Sequence, residues 1–205
     1  MKRMALPLMM ALLTACAGSL FKNKTAPPTM YMLSATPKST AAENAPAAPV
    51  DLAVLKLRVR AGIDTDRIAA LYPDRHMDYF ADVRWSGPLD EVLQDVAVQE
   101  FHLNPGLRNV STDASVFAST YWLEIEVEDF QAEYSALGAA PTVHVHFLAR
   151  VGNSADRHVL GRFEPDIRVV AADNRMTAIV DAYNRAADAA FAEIATGTAQ
   201  TLRAH

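Results

Sequence analysis

Cysteine is all but missing from this chain of 205 residues: there is one, at position 16. A single cysteine excludes an intramolecular disulfide, so stability has to come from packing. Basic residues are the minority, 19 against 24 acidic, giving a net charge of −5. That balance argues against nucleic acid, whose phosphates need a basic face, and against electrostatic docking on anionic lipid. No Gly-x-x-x-x-Gly-Lys run occurs, which excludes a P-loop. No Gly-x-Ser-x-Gly elbow occurs either, and no paired acid, base and nucleophile set can be read. Past Leu13 no apolar stretch is long enough to span a bilayer. The reading is a protein that is not an enzyme and carries no cofactor.

What is present starts at the N-terminus. Lys2 and Arg3 precede an apolar run from Met4 to Leu13, broken only by Pro7. These are the charged and apolar regions of a secretory signal, too short for a stable membrane span. Thr14 and Ala15 place small residues at the cut, and Cys16 follows. One reading is an ordinary signal with a cysteine near its cleavage point. The other rests on the order Leu13-Thr14-Ala15-Cys16, which resembles the lipobox of bacterial lipoproteins. That resemblance, which the placement of the single cysteine favours, implies diacylglycerol on the Cys16 thiol, cleavage before it and usually acylation of the new amino group. Each buried CH₂ contributes about 0.8 kcal/mol, so one chain holds weakly and two or three hold durably. Ala17 follows the cysteine; by resemblance to the Gram-negative sorting rule, the lack of aspartate there points to the outer membrane. Removing Lys2 and Arg3 with the signal leaves 17 basic residues against the 24 acidic ones.

The length allows one domain with a buried core. Residues 1–15 read as signal peptide, 16–28 as lipidated N-terminus and flexible tether, and 29–205 as a single α+β domain. Within it, Met30-Tyr31-Met32-Leu33 reads as a short strand, and residues 38–50, rich in Ala and Pro, as a loop. Ala53, Leu55, Leu57 and Val59 alternate with Lys56 and Arg58, a half-buried strand. A hairpin follows, with Asp66 to Leu71 and His76 to Phe80 flanking a turn at Pro73-Asp74. Ser86-Gly87-Pro88 opens a helix whose stripe is Leu89, Val92, Leu93, Val96, Ala97 and Phe101. Strands are expected at Tyr121–Glu128, Thr142–Val151 and Arg157–Phe163. Asp173 or Asn174 is the expected cap of a long helix whose stripe runs from Met176 to Ile194, with Arg185, Asp188 and Glu193 opposite. Two helices with one apolar stripe each need one sheet face to cover. The expected architecture is a two-layer α+β sandwich, a mostly antiparallel sheet with both helices on one face.

Three features are candidates for binding. His144-x-His146 puts two imidazoles on one strand face, the geometry of some metal sites, with Glu124, Glu126, Glu128 or His158 as conceivable third ligands. His158, near the following turn, is a poor partner, and a solvated sheet face is the favoured reading of the pair, since spacing alone has a high false-positive rate; the metal reading is set aside. Glu124, Glu126 and Glu128 form an expected same-face acidic ladder, either a charge guard against edge pairing or a docking strip for a partner. Trp85 and Trp122 are candidate partner contacts, although Trp85, just before a helix, equally suits locking that helix to the sheet. Asp66, Arg67 and Arg84 are expected to form ion pairs around the hairpin.

The ordered series of Cys16, Tyr31-x-Leu33, Asp66-Arg67-Ile68, Tyr79-Phe80, Arg84-Trp85 with its Pro-started helix, and Tyr121-Trp122-Leu123-Glu124 with Phe130 resembles the ABC-type transport auxiliary lipoproteins. The segment Ile68-Ala69-Ala70-Leu71 departs from that pattern, being less β-branched and less basic. The resemblance implies a lipid-anchored accessory subunit facing the periplasm at the outer membrane. Its implied partners are an MCE-domain protein and the permease and ATPase subunits of an ABC system that moves lipid between membranes. It is compatible with a homo-oligomer. The alternative class is an outer-membrane lipoprotein that scaffolds or activates cell-envelope assembly with no transporter involved.

Overall fold

A computed structural model of the chain describes residues 26–35, 50–104, 107, 109–113, 115 and 118–204. The signal, Cys16, Ala17 and most of the expected tether and of the 38–50 loop lie outside the described residues. The described residues form ten strands and two helices: β1 (Thr29–Tyr31), β2 (Asp51–Val54), β3 (Arg58–Val59), β4 (Arg67–Leu71), β5 (Met77–Trp85), α1 (Leu89–Leu103), β6 (Asn109–Thr112), β7 (Tyr121–Glu133), β8 (Thr142–Asn153), β9 (Val159–Phe163), β10 (Asp166–Val170) and α2 (Met176–Arg203). The α+β class is as expected. No helix among the described residues is long and apolar enough to cross a membrane.

The axis of the sheet is the β7–β8 hairpin, antiparallel from Tyr121↔Asn153 to Glu133↔Thr142. Leu123, Ile125 and Val127 face Val151, Ala149 and Phe147 across it, all buried as their alternation requires. On its other edge β7 meets β2, β3 and β4 in turn, all parallel to it. β5 then closes on β4 as the expected hairpin, and β1 adds parallel to β5. The far edge of β8 is shared, β10 pairing with its first half and β9 with its last. The sheet is therefore mixed. Short segments laid parallel to β7 need crossovers, and alternation within each segment carries no sign of direction.

Several boundaries differ from expectation. The strand read across 51–59 breaks into β2 and β3, and Lys56, between them, reaches Asp90 of α1 (2.8 Å). β6 and β10 went unread. Asn174 does not cap α2; its side chain accepts the Tyr134 hydroxyl at 2.7 Å, and the helix begins after Arg175 with no side-chain cap. α1 likewise starts after Pro88 without one. Asp188 is 6% exposed rather than on a wet face. α2 packs against α1 as well as β8, β9 and β10, so its dry side is wider than one stripe.

Aromatic rings hold the layers together. Trp85 meets Tyr183 of α2 edge-on at 5.2 Å, and Tyr183 lies 4.9 Å from Phe130. Phe147 continues the line to Phe191 at 5.0 Å, and Phe191 meets Phe101 of α1 at 6.4 Å. Such pairs add about 0.5–1.5 kcal/mol each beyond area burial. The Tyr183 hydroxyl donates to the Ala69 carbonyl at 2.9 Å, and burial raises its pKa well above the usual phenol value.

Candidate functional site

The face of the sheet turned away from these rings carries the polar side chains of β7, β8 and β10. Along β7 the outward row starts as expected with Trp122, Glu124 and Glu126. A bulge between Val127 and Asp129 then inserts one extra residue, Glu128. Glu128 drops out of the ladder, and the row continues through Asp129, Gln131 and Glu133. The expected Glu124-Glu126-Glu128 ladder is thus replaced, beyond the bulge, by residues that period-two counting assigns to the core.

The row is not bare acid. Arg58 of β3 reaches Glu124 and Glu126, 3.1 Å each, and Arg150 of β8 takes the other Glu124 oxygen at 2.8 Å. Arg60 sits 3.4 Å from Asp129. Each carboxylate meets a cation across the strand pairing, which neutralises the strip locally. These pairs are half-exposed, so their value lies more in fixing side-chain geometry than in stability.

The two histidines sit past the bulge, opposite Asp129 and Gln131, with rings parallel and centroids 6.3 Å apart. His144 is 5% exposed. Its Nδ1 lies 2.9 Å from a Glu133 oxygen, and its Nε2 2.8 Å from Asp166 and 3.1 Å from the Arg168 guanidinium. A carboxylate asks Nε2 for a proton and a guanidinium asks it for a lone pair. Protonated, His144 donates to both acids; neutral, it donates to Glu133 and accepts from Arg168. Burial pushes the Glu133 carboxyl up, but hydrogen bonds from His144, Gln131 and Arg168 outweigh it and hold the group below its ordinary value. His146 bonds Glu164 at 3.2 Å and faces Asp129 at 3.7 Å.

Among the described residues no group of three or more His, Cys, Asp or Glu side chains is placed to hold a metal ion. The ring nitrogens instead meet carboxylates, those of His144 at hydrogen-bond length, and Glu124 and Glu126 are engaged by arginines. His158 stands opposite Asn153 at the far turn, away from both rings. An open groove of about 650 Å³ adjoins this cluster, lined by Tyr72 and Tyr134, stacked at 5.2 Å, and by Arg60 and Arg168.

The two tryptophans part ways. Trp85 is 1% exposed, a core residue wedged between Phe130 and Tyr183. It cannot touch a partner while the domain is folded, and the candidate contact there is withdrawn. Trp122 is half-buried on the outer face, lying over Gly152, with its indole N–H donating to the Asn153 carbonyl at 3.1 Å. Beside it are Leu55, Glu124, Ser154 and Arg157, lining an open hollow of about 460 Å³. Of the expected hairpin ion pairs, Arg84 meets Asp66 at 2.7 Å, while Arg67 instead covers the Tyr79 ring at 3.9 Å.

The architecture is shared with solved structures. A Xanthomonas campestris protein of the DUF330 family superposes with a TM-score of 0.73 at 21% identity, over 86% of this chain and 98% of that one. A hypothetical protein from Chlamydia trachomatis gives 0.55 at 11% identity, over 77% of this chain and all of its own. At those identities the likeness concerns the fold. No curated protein matches the chain. The model of the ABC-type transport auxiliary lipoprotein component family matches residues 31–195, from β1 into the last third of α2. That span takes in the bulged β7 strand, both histidines and the aromatic line between the layers, and by it this chain belongs to the ABC-type transport auxiliary lipoprotein component family.

Proposed function

We propose that this lipoprotein is a non-catalytic accessory subunit of an ABC/MCE-type intermembrane lipid transport system, docking the transporter at the outer membrane. The family match carries the reading, since an auxiliary lipoprotein of an ABC system works with permease and ATPase subunits that this chain, lacking a P-loop, does not supply. The lipobox at Cys16 supports a membrane anchor, and Ala17 supports the outer membrane. We read the helices as one layer that stiffens the sheet from behind and leaves its charged face free. A surface of paired charges around a half-buried tryptophan suits recognition of a protein partner: the charges set orientation and the indole supplies contact area. Trp122, Glu124 and Glu126 are the contact residues we assign, with Glu128 at the bulge beside them. The MCE-domain protein is the partner they fit in this reading, and several copies around one transporter tip are compatible with it.

The test is co-purification of the full-length tagged chain from a detergent extract of its own cells. Permease, ATPase and MCE-domain subunits enriched over an untagged control are the expected result. Their absence, with cell-wall enzymes enriched instead, would replace this function with an envelope-assembly one.

A further inference from the structure

At the end of the sheet that carries the β7–β8 turn, two uncharged segments meet. From Tyr134 to Val143 the chain has no charged residue, and the adjoining stretch from Val169 to Ala172 has none either. The two run together, since the Ala171 N–H donates to the Pro141 carbonyl and Val170 pairs with Thr142. At the apex, the Ala139 N–H returns to the Ala136 carbonyl and Gly138 takes a φ of +80°. That is the geometry of a type II turn, with Leu137 at its leading corner. A water-facing corner has no need of leucine, yet Leu137 is 83% exposed, more than any other large apolar side chain described. Val170 beside it is 64% exposed. Arg75, next to Asp74 on the β4–β5 turn, and Arg175, paired with Asp173 at 2.7 Å before α2, lie at the same end, so its charges are balanced.

The first described strand is directed toward that end at its start. β4 finishes at Leu71 beside Glu133, β5 starts there at Met77, and β1 runs parallel to β5 with Thr29 opposite Val83 and Tyr31 opposite Trp85. The N-terminal end of β1 therefore points toward the Leu137 turn, and its C-terminal end away from it. Residues 17–28 reach at most roughly 40 Å when extended, so an anchor on Cys16 keeps the domain near the bilayer, and the direction of β1 favours this end as the one that faces it. Trp122 and the Ser154–Arg157 turn stand at the opposite end.

We infer that the turn centred on Leu137, with Val170 at its side, dips into the headgroup region of the phospholipid membrane that holds the lipid anchor. An uncharged apolar tip fits the boundary between acyl chains and headgroups. A weak apolar contact suffices, because the tether holds the tip at high local concentration near the surface. The consequence is orientation: the acyl chains alone leave the domain free to tumble, whereas a second contact turns the Trp122 end toward the periplasm. This inference rests on acylation of Cys16.

The test uses the full acylated protein reconstituted into vesicles of phosphatidylethanolamine and phosphatidylglycerol. A single environment-sensitive fluorophore is attached through Leu137→Cys or, at the opposite end, Asp156→Cys, the native thiol being blocked by its lipid. The probe at 137 is expected to shift to the blue and to lose emission severalfold more than the probe at 156 when lipids spin-labelled just below the headgroup are included. Leu137→Glu, with the probe moved to Ala139→Cys, is expected to abolish that quenching without lowering the melting temperature, since the side chain is exposed. A fully aqueous probe at 137 on protein that still floats with the vesicles overturns the inference and leaves the anchor standing. A blue shift at 137 that appears equally in lipid-free detergent, from contact between copies, overturns it too. A mass of the N-terminal peptide showing unmodified Cys16 removes the anchor, and the inference with it.

Discussion

Gly152 lies beneath Trp122, and a Cβ at that position would stand 2.3 Å from the indole and 2.6 Å from the His158 carbonyl. The indole has to move because the backbone oxygen is fixed in the β8–β9 turn. Gly152→Ala is therefore expected to lower stability by about 1–3 kcal/mol and to shift Trp122 emission to the red, read by urea titration and fluorescence. Trp85→Ala empties a site between Phe130 and Tyr183 and should cost about 3–5 kcal/mol, well above any surface change. Glu133 sets a pH dependence. Its carboxyl is held below the ordinary value near 4.5 by His144, Gln131 and Arg168, so between the folded and unfolded values the unfolded chain binds more protons. The stabilisation is complete above the unfolded value and is lost as pH falls through the folded one. Glu133→Gln is expected to flatten the acid limb of a stability–pH curve while lowering stability at neutral pH; an acid limb as steep as wild type would contradict this.

Strands and helices show why some of this was legible and some was not. β8 and the first half of β7 are readable because apolar and polar residues alternate cleanly from Leu123 to Val127 and from Val143 to Phe147. The bulge was invisible: Glu128 and Asp129 are both acidic, and no period distinguishes the extra residue from the continuing row. The buried environment of His144, the far side of that bulge, was missed with it. β10 alternates Asp166, Ile167, Arg168, Val169 over five residues, a signal too short to separate from a link between Pro165 and α2. The parallel placement of β2, β3 and β4 depends on contacts distant in sequence and has no local mark. α2 was readable as a helix but not in its breadth, because alanines at 182, 186, 190, 195 and 199, all buried, let it approach the sheet and α1 together. Ala190→Leu is accordingly expected to cost about 1–3 kcal/mol by overpacking, and Glu193→Ala, on the exposed side, less than about 0.5 kcal/mol. Thermal melts of the two variants compare them directly.

The molecule as a whole divides into two ends with different surfaces. One carries the uncharged turn at Leu137, toward which the N-terminal end of β1 points; the other carries Trp122 in a frame of arginine–glutamate pairs. In the proposed function the domain acts by where it sits, with its outer-face carboxylates held by arginines and histidines of neighbouring strands. That account makes the lipid on Cys16 the decisive chemical group, because a free periplasmic copy has the same fold and the same charged face but no fixed address. Fractionating cells that express Cys16→Ala at wild-type level, while assaying the envelope lipid transport of the same cells, tests this most directly. The variant is expected in the soluble periplasmic fraction with transport support lost; release from membranes with transport undiminished would contradict the account.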